Sequence, residues 1–357
     1  MNLKPTIGIE THIELNTNTK MFCRCRVFDT EEPNVNLCPT CLGLPGALPV
    51  PNEKAIRYIT LLALATGCSI TKKGMFHRKN YFYPDLPKNY QISQFDLPVG
   101  ENGNLEIVID NEKDYVEIER VHMEEDTGKS SHEGSGRIDS ATSTSLDFNR
   151  SGIPLVEIVT KPVIKSSKEA VAYIEELRQL AIELEISEGK LEKGNLRFDA
   201  NISVAPSESN ELGTKVEIKN MNSLRSLERA IDFEIKRQSS ALENGDIIIQ
   251  ETRHWDESKE TTTSMRSKEG SADYRYFSDP DIPNMVLPDE FINQIKESLP
   301  SLPHENRNKL METGLSLSDS NVLSKSEKWI YELYFEVFNN TKDSKASFNW
   351  ITGELQG

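Results

Sequence analysis

The amino-acid sequence predicts an α+β protein, and three observations carry that expectation. Segments of strict apolar/polar alternation recur between residues 6 and 219, as half-buried strands require. Two amphipathic helical patterns, at 166–186 and 224–235, interrupt them. From about residue 289 the alternation gives way to short helical segments, which suggests a separate helical domain.

The elements follow in order. In residues 6–15, Ile7, Ile9, Ile13 and Leu15 share one face of a strand, and Glu10, His12 and Glu14 share the other. A cysteine- and proline-containing loop leads to a helix over 52–67. Asn52 is its expected N-cap, Ile56, Ile59 and Ala63 share a face, and Gly67 stands at its end. Residues 76–98 read as loop with short extended pieces. Residues 104–125 alternate around a turn at Asn111-Glu112-Lys113, and 127–145 (rich in Gly, Ser, Thr and His) read as a mobile loop. Leu155–Val159 is a strand. Ser166 and Glu169 fit a capping box ahead of the apolar stripe Tyr173, Ile174, Leu177, Leu180, Ala181 and Leu184. Residues 197–204 and 215–219 alternate, Leu224, Leu227, Ile231 and Ile235 mark a second helix, and 245–282 mix strand and loop. Helical pieces are expected at 291–299, 304–313 and 325–338, and the pattern is still running where the sequence stops. The expected division is 1–288 and 289–357.

At 357 residues, with 36% hydrophobic and 27% charged residues, the chain can bury a core. No stretch of about 18 apolar residues is present, which excludes a spanning helix. The first residues look like neither a secretory signal nor a transit peptide, so the cytoplasm is the expected compartment, with an organelle after processing as the alternative. A net charge of −16 and a pI near 5.0 argue against a chain coated for phosphate-backbone binding. Any nucleic-acid contact must be a local basic patch or come from a partner protein.

The most informative pattern is chemical. Side chains two residues apart on a strand project from one face, about 7 Å apart. Glu10, His12 and Glu14 do so, as do Arg197, Asp199, Asn201 and Ser203, and Lys215, Glu217 and Lys219. Glu157 interrupts the apolar run Leu155–Val159, and Arg120-Val121-His122-Met123-Glu124-Glu125-Asp126 closes another strand. A single polar face is what a sheet shows to water. The residue choice is harder to explain that way, because carboxylates, imidazoles and amides are ligands that Mg²⁺ or Mn²⁺ accepts. With neighbouring Lys and Arg, such a face suits ATP and a divalent cation. The chain has no Walker A motif and no dinucleotide glycine fingerprint, so phosphates must be held by side chains and metal.

Five cysteines are present, four of them within nineteen residues: Cys23-x-Cys25, twelve residues, then Cys38-x-x-Cys41. Two close thiolate pairs fit a structural Zn²⁺, whose role would be to pin a long loop (21–45) without a core of its own. Cys68 follows Gly67 at a helix end and is expected to be buried and inert.

The stretch Leu146-Asp147-Phe148-Asn149-Arg150-Ser151-Gly152-Ile153-Pro154-Leu155-Val156-Glu157-Ile158 resembles a signature of the B subunits of the aspartyl/glutamyl-tRNA(Asn/Gln) amidotransferases. Ile7–Leu15, Arg78–Asp85, Tyr90–Asp96, His122–Asp126, Asp199–Ser203, Glu217–Asn220 and Asp273–Phe277 agree with the same family, so the resemblance spans nearly the whole chain. It implies a cradle of mostly antiparallel sheet, similar to the catalytic fold of glutamine synthetase, then a helical domain. It also implies a C-terminal tail domain that this chain would lack. Some family members have the cysteine set and some lack it, which implies a structural zinc.

The activity implied is a ligase of protein biosynthesis that forms a carbon–nitrogen bond with glutamine as amide donor. It phosphorylates the side-chain carboxylate of Glu-tRNA(Gln) or Asp-tRNA(Asn) with ATP, and ammonia made by a glutaminase partner displaces the phosphate. The glutaminase (the A component), a third protein (the C component) completing a heterotrimer, and the misacylated tRNA are the implied partners. By resemblance, Glu10, His12, Glu125 and Glu157 hold Mg²⁺, and Glu10, His12 and Glu125 are catalytic. Glu124, Glu125 and Lys129 lie near the tunnel exit, where Glu125 takes a proton from ammonium. Lys79, Lys88, Asp199, Asn201, Lys219 and Arg275 contact ATP or substrate. Glu14 is an alternative support for His12, and Tyr81, Phe82 and Tyr83 either stack on a base or pack internally. Two other readings stay open: a stand-alone ligase resembling glutamine synthetase, and a non-enzymatic zinc-containing RNA-binding module, which the acidic balance opposes.

Overall fold

The computed structural model describes residues 2–134, 141–265 and 274–355. The strands are β1 (Leu3–Glu14), β2 (Ser69–Ile70), β3 (Lys73–Gly74), β4 (His77–Asn80), β5 (Tyr90–Ser93), β6 (Gly100–Ile109), β7 (Glu112–Glu125), β8 (Lys129–Gly134), β9 (Ala141–Asp147), β10 (Pro154–Thr160), β11 (Leu196–Pro206), β12 (Val216–Lys219), β13 (Glu251–Asp256), β14 (Thr261–Ser264), β15 (Phe277–Ser278) and β16 (Met285–Val286). The helices are α1 (Glu53–Ala65), α2 (Ser167–Glu183), α3 (Leu224–Glu243), α4 (Asp289–Glu297), α5 (Pro303–Glu312), α6 (Leu317–Ser324), α7 (Lys328–Thr341) and α8 (Ser344–Asn349).

Among the described residues, twelve strands form one sheet with the path β14-β13-β12-β11-β1-β10-β7-β5-β4-β15. β6 lies beside β7 and pairs with β2. Every pairing along this path is antiparallel except β12–β13, which is parallel. The fold is thus α+β with a large mixed, mostly antiparallel sheet.

One face of the sheet is apolar. Ile7, Ile9 and Ile13 of β1, Val156 and Ile158 of β10, Val121 and Met123 of β7, and Phe198 and Ala200 of β11 are buried there. Helices α2 and α3 cover it with Tyr173, Ile174, Leu177, Leu180, Leu227 and Ile231. Both helices start as their caps require: Ser166 Oγ accepts the Glu169 N–H, and Ser223 Oγ accepts the Ser226 N–H. Helix α1 is capped by Asn52 Oδ1, which accepts from the N–H groups of Lys54 and Ala55, and it ends before Gly67 at φ +67°.

Two expectations are corrected. The β6–β7 turn is the two-residue loop Asp110-Asn111, both at positive φ (47° and 62°). Those values match the right-handed twist of a hairpin. Residues 129–134 and 141–147, which the sequence suggests are part of a mobile loop, form the β8–β9 hairpin. Their Ser and Thr residues alternate in strand conformation without an apolar face, so periodicity gives no signal. Residues 135–140 of that expected loop lie outside the described residues.

A second apolar cluster, Leu310, Leu315, Leu323, Ile330, Tyr334 and Ile351, is built by the C-terminal helices. Helix α4 instead joins the larger core, and Phe291 lies under the Arg57 guanidinium at 5.2 Å. Arg307 of α5, fully buried, ties the C-terminal helices to the sheet. It donates to Glu106 of β6 and Glu176 of α2 (both 3.0 Å) and to Asn321 of α6 (3.0 Å).

Glu183, at the end of α2, is titratable near neutral pH. Burial raises it to about 7, and its Oε2 has no partner while Gln179 donates to Oε1. A raised carboxyl favours folding while protonated, so its stabilising difference is present below pH 4.5 and is lost as pH rises through 7. With the shift discounted for solvent screening, Glu183→Gln should stabilise the protein by about 1–2 kcal/mol at pH 8 and by less at pH 5. Urea denaturation at the two pH values measures the difference, and an equal gain at both would contradict the assignment.

Candidate metal and phosphate site

The face of the sheet opposite α2 and α3 is polar, because the alternation that buries Ile9 and Ile13 sends Glu10, His12 and Glu14 the other way. Register sets the neighbours. His12 lies opposite Glu157 of β10 on one side and Arg197 of β11 on the other, and Glu157 lies opposite His122 of β7. Glu10 lies opposite Asp199, and Asn201 opposite Glu217. Glu10, His12, His122, Glu157, Arg197, Asp199 and Glu217 line a basin of about 1290 Å³, together with Lys79, Arg120, Lys215 and Lys219.

Two groups of ligand atoms converge in it. In the first, His12 Nε2 lies 3.5 Å from Glu157 Oε2 and 3.7 Å from Glu124 Oε2. His122 Nε2 stands 2.9 Å from Glu157 Oε2 and 3.6 Å from Glu124 Oε1, and Lys79 Nζ is 3.6 Å from Glu124 Oε1. Burial opposes protonation of His12, but the Glu157 and Glu124 carboxylates outweigh it and push the imidazole up to about 10. Burial would raise the two carboxyls as well. Lys79 beside Glu124 and the two imidazoles beside Glu157 prevail, and both acids are held below the usual carboxylate range. Ser93 Oγ donates to Glu124 Oε1 (2.8 Å) and Gln91 Nε2 to its Oε2 (3.2 Å), fixing that carboxylate in place.

The second group is Glu10, Asp199 and Glu217. Asn201 Nδ2 donates to Glu10 Oε1 (2.8 Å), and Thr252 Oγ1 donates to Glu217 Oε2 (2.8 Å). Burial and then the Glu157 charge raise the Glu10 carboxyl. Lys219 Nζ sits between Asp199 (2.6 Å) and Glu217 (2.9 Å).

In each group one ligand atom from every residue lies within 4.8 Å of the others, a spacing compatible with a single hard cation. The first group offers an imidazole with two acids and keeps Lys79 to one side at 3.6 Å from Glu124, whereas in the second Lys219 sits between Asp199 and Glu217 at 2.6 and 2.9 Å. In the first, His12, Glu124 and Glu157 would hold the ion, with His122 orienting Glu157 from behind.

Glu10, His12, Glu157, Lys79, Asp199, Asn201 and Lys219 are therefore brought together. Glu125 does not join them. It follows Glu124 on β7, so its carboxylate turns away from the basin, where it accepts the Ile92 N–H (3.0 Å) and pairs with Lys88. Lys88 is consequently a partner of Glu125, wedged under Gly43, whose φ of +63° and lack of Cβ allow Lys88 Cγ to approach. Arg275 lies over the Phe82 ring at 5.8 Å, away from the basin lining, and Asp273 of its motif is outside the described residues. Lys129 is exposed on β8 opposite Asp147. Glu14 does not support His12; it is raised by burial and by the Asp126 charge, near Arg197.

His122 and Glu217 carry site geometry that sequence reasoning does not assign to them, and Glu124 takes the position expected of Glu125. The available signal is parity: Arg120, His122 and Glu124 are two residues apart, as Glu10, His12 and Glu14 are.

The cysteine loop is separate from the basin. Cys41 Sγ lies 3.5, 3.6 and 3.7 Å from the sulfurs of Cys23, Cys38 and Cys25. Four thiolates at Zn–S distances of about 2.3 Å in a tetrahedron stand roughly 3.8 Å apart, so the donor set fits zinc. The Cys23 thiol and then the Lys20 ammonium lower Cys41 to about 4, while burial and neighbouring thiols push Cys25 up to about 12. Lys20, fully buried, also donates to Asn36 O (2.9 Å) and Phe148 O (3.3 Å). The Asn36 N–H donates to Asn149 Oδ1 (2.9 Å), and the Asn34 N–H to Asp147 Oδ1 (3.0 Å). The loop is thereby fastened to 146–149.

Among the described residues no helix is long and apolar enough to cross a membrane. A family model described as the GatB/GatE catalytic domain matches residues 5–293. The B subunit of aspartyl/glutamyl-tRNA(Asn/Gln) amidotransferase from Crocosphaera subtropica is 49% identical over 356 residues, which cover 98% of this chain and 72% of that protein. The protein of the same name from Carboxydothermus hydrogenoformans is 48% identical over 351 residues, covering 98% and 72%. That of Thermodesulfovibrio yellowstonii is 47% identical over 356 residues, covering 99% and 74%. With the match over most of its length and a sheet whose polar face is built from the matching segments, this chain belongs to the family of tRNA-dependent amidotransferase B subunits.

Proposed function

We propose that this chain is the amidating component of a tRNA-dependent amidotransferase. It activates the side-chain carboxylate of Glu or Asp esterified to tRNA and exchanges the activating group for ammonia. The observation that carries this reading is the convergence of His12, Glu124 and Glu157 with Lys79, Arg197 and Lys219 on one polar sheet face.

A carboxylate resists attack by ammonia because its leaving group would be oxide. In the first step one oxygen of the substrate carboxylate attacks the γ-phosphorus of ATP, and the bond from that phosphorus to the ADP oxygen breaks. In the second the ammonia nitrogen attacks the acyl carbon, the carbon–oxygen bond to phosphate breaks, and one nitrogen-bound proton is lost, leaving amide and phosphate. When bound, a divalent cation neutralises phosphate charge at the first step. His12, Glu124 and Glu157 are its proposed holders. Lys79, whose ammonium stays protonated beside Glu124, supplies fixed positive charge at the same place. Lys219 is held by Asp199 and Glu217, so its charge is aimed before substrate arrives.

A glutaminase partner as ammonia source, and a third protein completing a heterotrimer, belong to the same reading. So does zinc as a strut for 21–45 outside the chemistry. A cradle at 1–288 and a helical domain at 289–357 is the proposed division, supported by the second apolar cluster, although α4 sides with the cradle.

The test is ADP release by the assembled enzyme. Release that requires misacylated tRNA is the expected result. Release with free glutamate alone would replace this reading with a stand-alone ligase, and no ADP release under either condition would exclude an ATP-dependent role.

A further inference from the structure

The basin has an aromatic end that the metal and phosphate chemistry leaves unused. The Phe95 and Tyr276 rings stack with centroids 4.4 Å apart at 14°, and both line the basin. Tyr274 meets Tyr276 edge-on at 6.0 Å and Tyr81 at 6.0 Å, so the rings form a continuous row. Lys79 joins this row to the ligand cluster. Its Nζ is 5.3 Å from the Tyr274 ring and 3.6 Å from Glu124 Oε1.

The placement follows from the strands. Phe95 stands two residues beyond Ser93, which pairs with Glu124, and Tyr276 precedes Phe277, which pairs with Arg78 beside Lys79. Phe95 is 56% exposed, which is unfavourable for a large apolar ring that the larger apolar core does not include. A flat, sequence-tolerant hydrophobic face beside a cationic and carboxylate-rich cluster has the chemistry of a site for a base carried on phosphates.

We propose that Phe95 and Tyr276 form a stacking platform for an adenine ring. The proposal rests on the functional reading above, in which two substrates carry adenine: ATP, and tRNA at its 3′ terminal adenosine. In either case the platform fixes the base while Lys79 takes the adjoining negative charge near His12 and Glu124.

The experiment uses the assembled enzyme with Phe95→Ala, Tyr276→Ala and the conservative Phe95→Tyr and Tyr276→Phe. KM for ATP, KM for Glu-tRNA and kcat are measured separately, with thermal melting as the check on folding. The alanine variants should raise one KM by roughly 5- to 100-fold with kcat little changed, and the aromatic variants should restore it. A rise confined to ATP assigns the platform to the nucleotide. A rise confined to Glu-tRNA assigns it to the terminal adenosine. Unchanged KM values in both alanine variants overturn the platform, as does a loss that tracks melting temperature and is not restored by the aromatic variants. Glu124→Gln is assayed alongside. If it abolishes amidation while Phe95→Ala changes nothing, the platform fails and the functional reading stands. If Glu124→Gln retains full amidation, the functional reading itself fails.

Discussion

Glu157→Gln is expected to lower ATP-dependent amidation by about a thousandfold, well beyond what any drop in melting temperature from unpairing the two imidazoles accounts for. The amide matches the carboxylate in shape but carries no charge. Glu157 is the common partner of His12 and His122, at 3.5 and 2.9 Å, and those imidazoles hold it ionised against its burial. Neutralising it removes one of the two carboxylates in the proposed cation group. Loss of metal-assisted charge neutralisation on the order of 4 kcal/mol corresponds to that rate factor. A steady-state assay with saturating ATP and misacylated tRNA measures the change. Glu125→Gln is the informative comparison. Its carboxylate is turned to Lys88 and the Ile92 N–H, so its loss should act through folding, by leaving the Lys88 ammonium buried without its partner. Equal catalytic losses in both variants, with both proteins fully stable, would mean that the basin is not where the chemistry happens.

The second large effect concerns the cysteines. Cys41 Sγ lies within 3.7 Å of each of the other three sulfurs and receives the Lys20 ammonium at 3.6 Å. Lys20 and Asn36 also hold residues 148 and 149, and Asn34 holds 146–148. Removing the proposed zinc should therefore release more than a loop. It frees four sulfurs held close together and loosens the segment that leads into β10, on which Glu157 sits, and Cys41→Ser also deprives the buried Lys20 of its thiolate partner. Cys41→Ser should cost on the order of 3–5 kcal/mol, read from the urea midpoint of the purified protein. Limited proteolysis should then cut within 26–36 or 146–150 before any other described segment. Unchanged stability after complete removal of zinc would contradict the strut.

Much of this architecture was legible because strand parity is strict. Ile7, Ile9 and Ile13 against Glu10, His12 and Glu14 gave both faces of the central strand, and the Asn52, Ser166 and Gly67 signals bounded helices correctly. The four-cysteine cluster was legible from spacing alone. What escaped had a physical cause in each case. The β8–β9 hairpin has no apolar face to produce periodicity. Glu125 looked equivalent to Glu124 in a run of acids; the parity of Arg120, His122 and Glu124, and the hydrogen bond from Ser93 to Glu124, show which of the two enters the basin. Lys88 and Arg275 are expected to contact ATP or substrate, but a buried carboxylate and an aromatic ring engage them. The Phe95–Tyr276 stack joins segments about 180 residues apart in sequence, a distance that no local pattern spans.

One locus on the polar sheet face, where an imidazole and two acids from three different strands converge, is the proposed seat of a divalent cation. Crystals of the assembled enzyme soaked with Mn²⁺ and a non-hydrolysable ATP analogue test it directly, by anomalous scattering. The account predicts a peak within bonding distance of His12 Nε2 and of carboxylate oxygens of Glu124 and Glu157, with the γ-phosphate adjacent. A peak ligated by Glu125, or an analogue bound with no ion near His12, would contradict it.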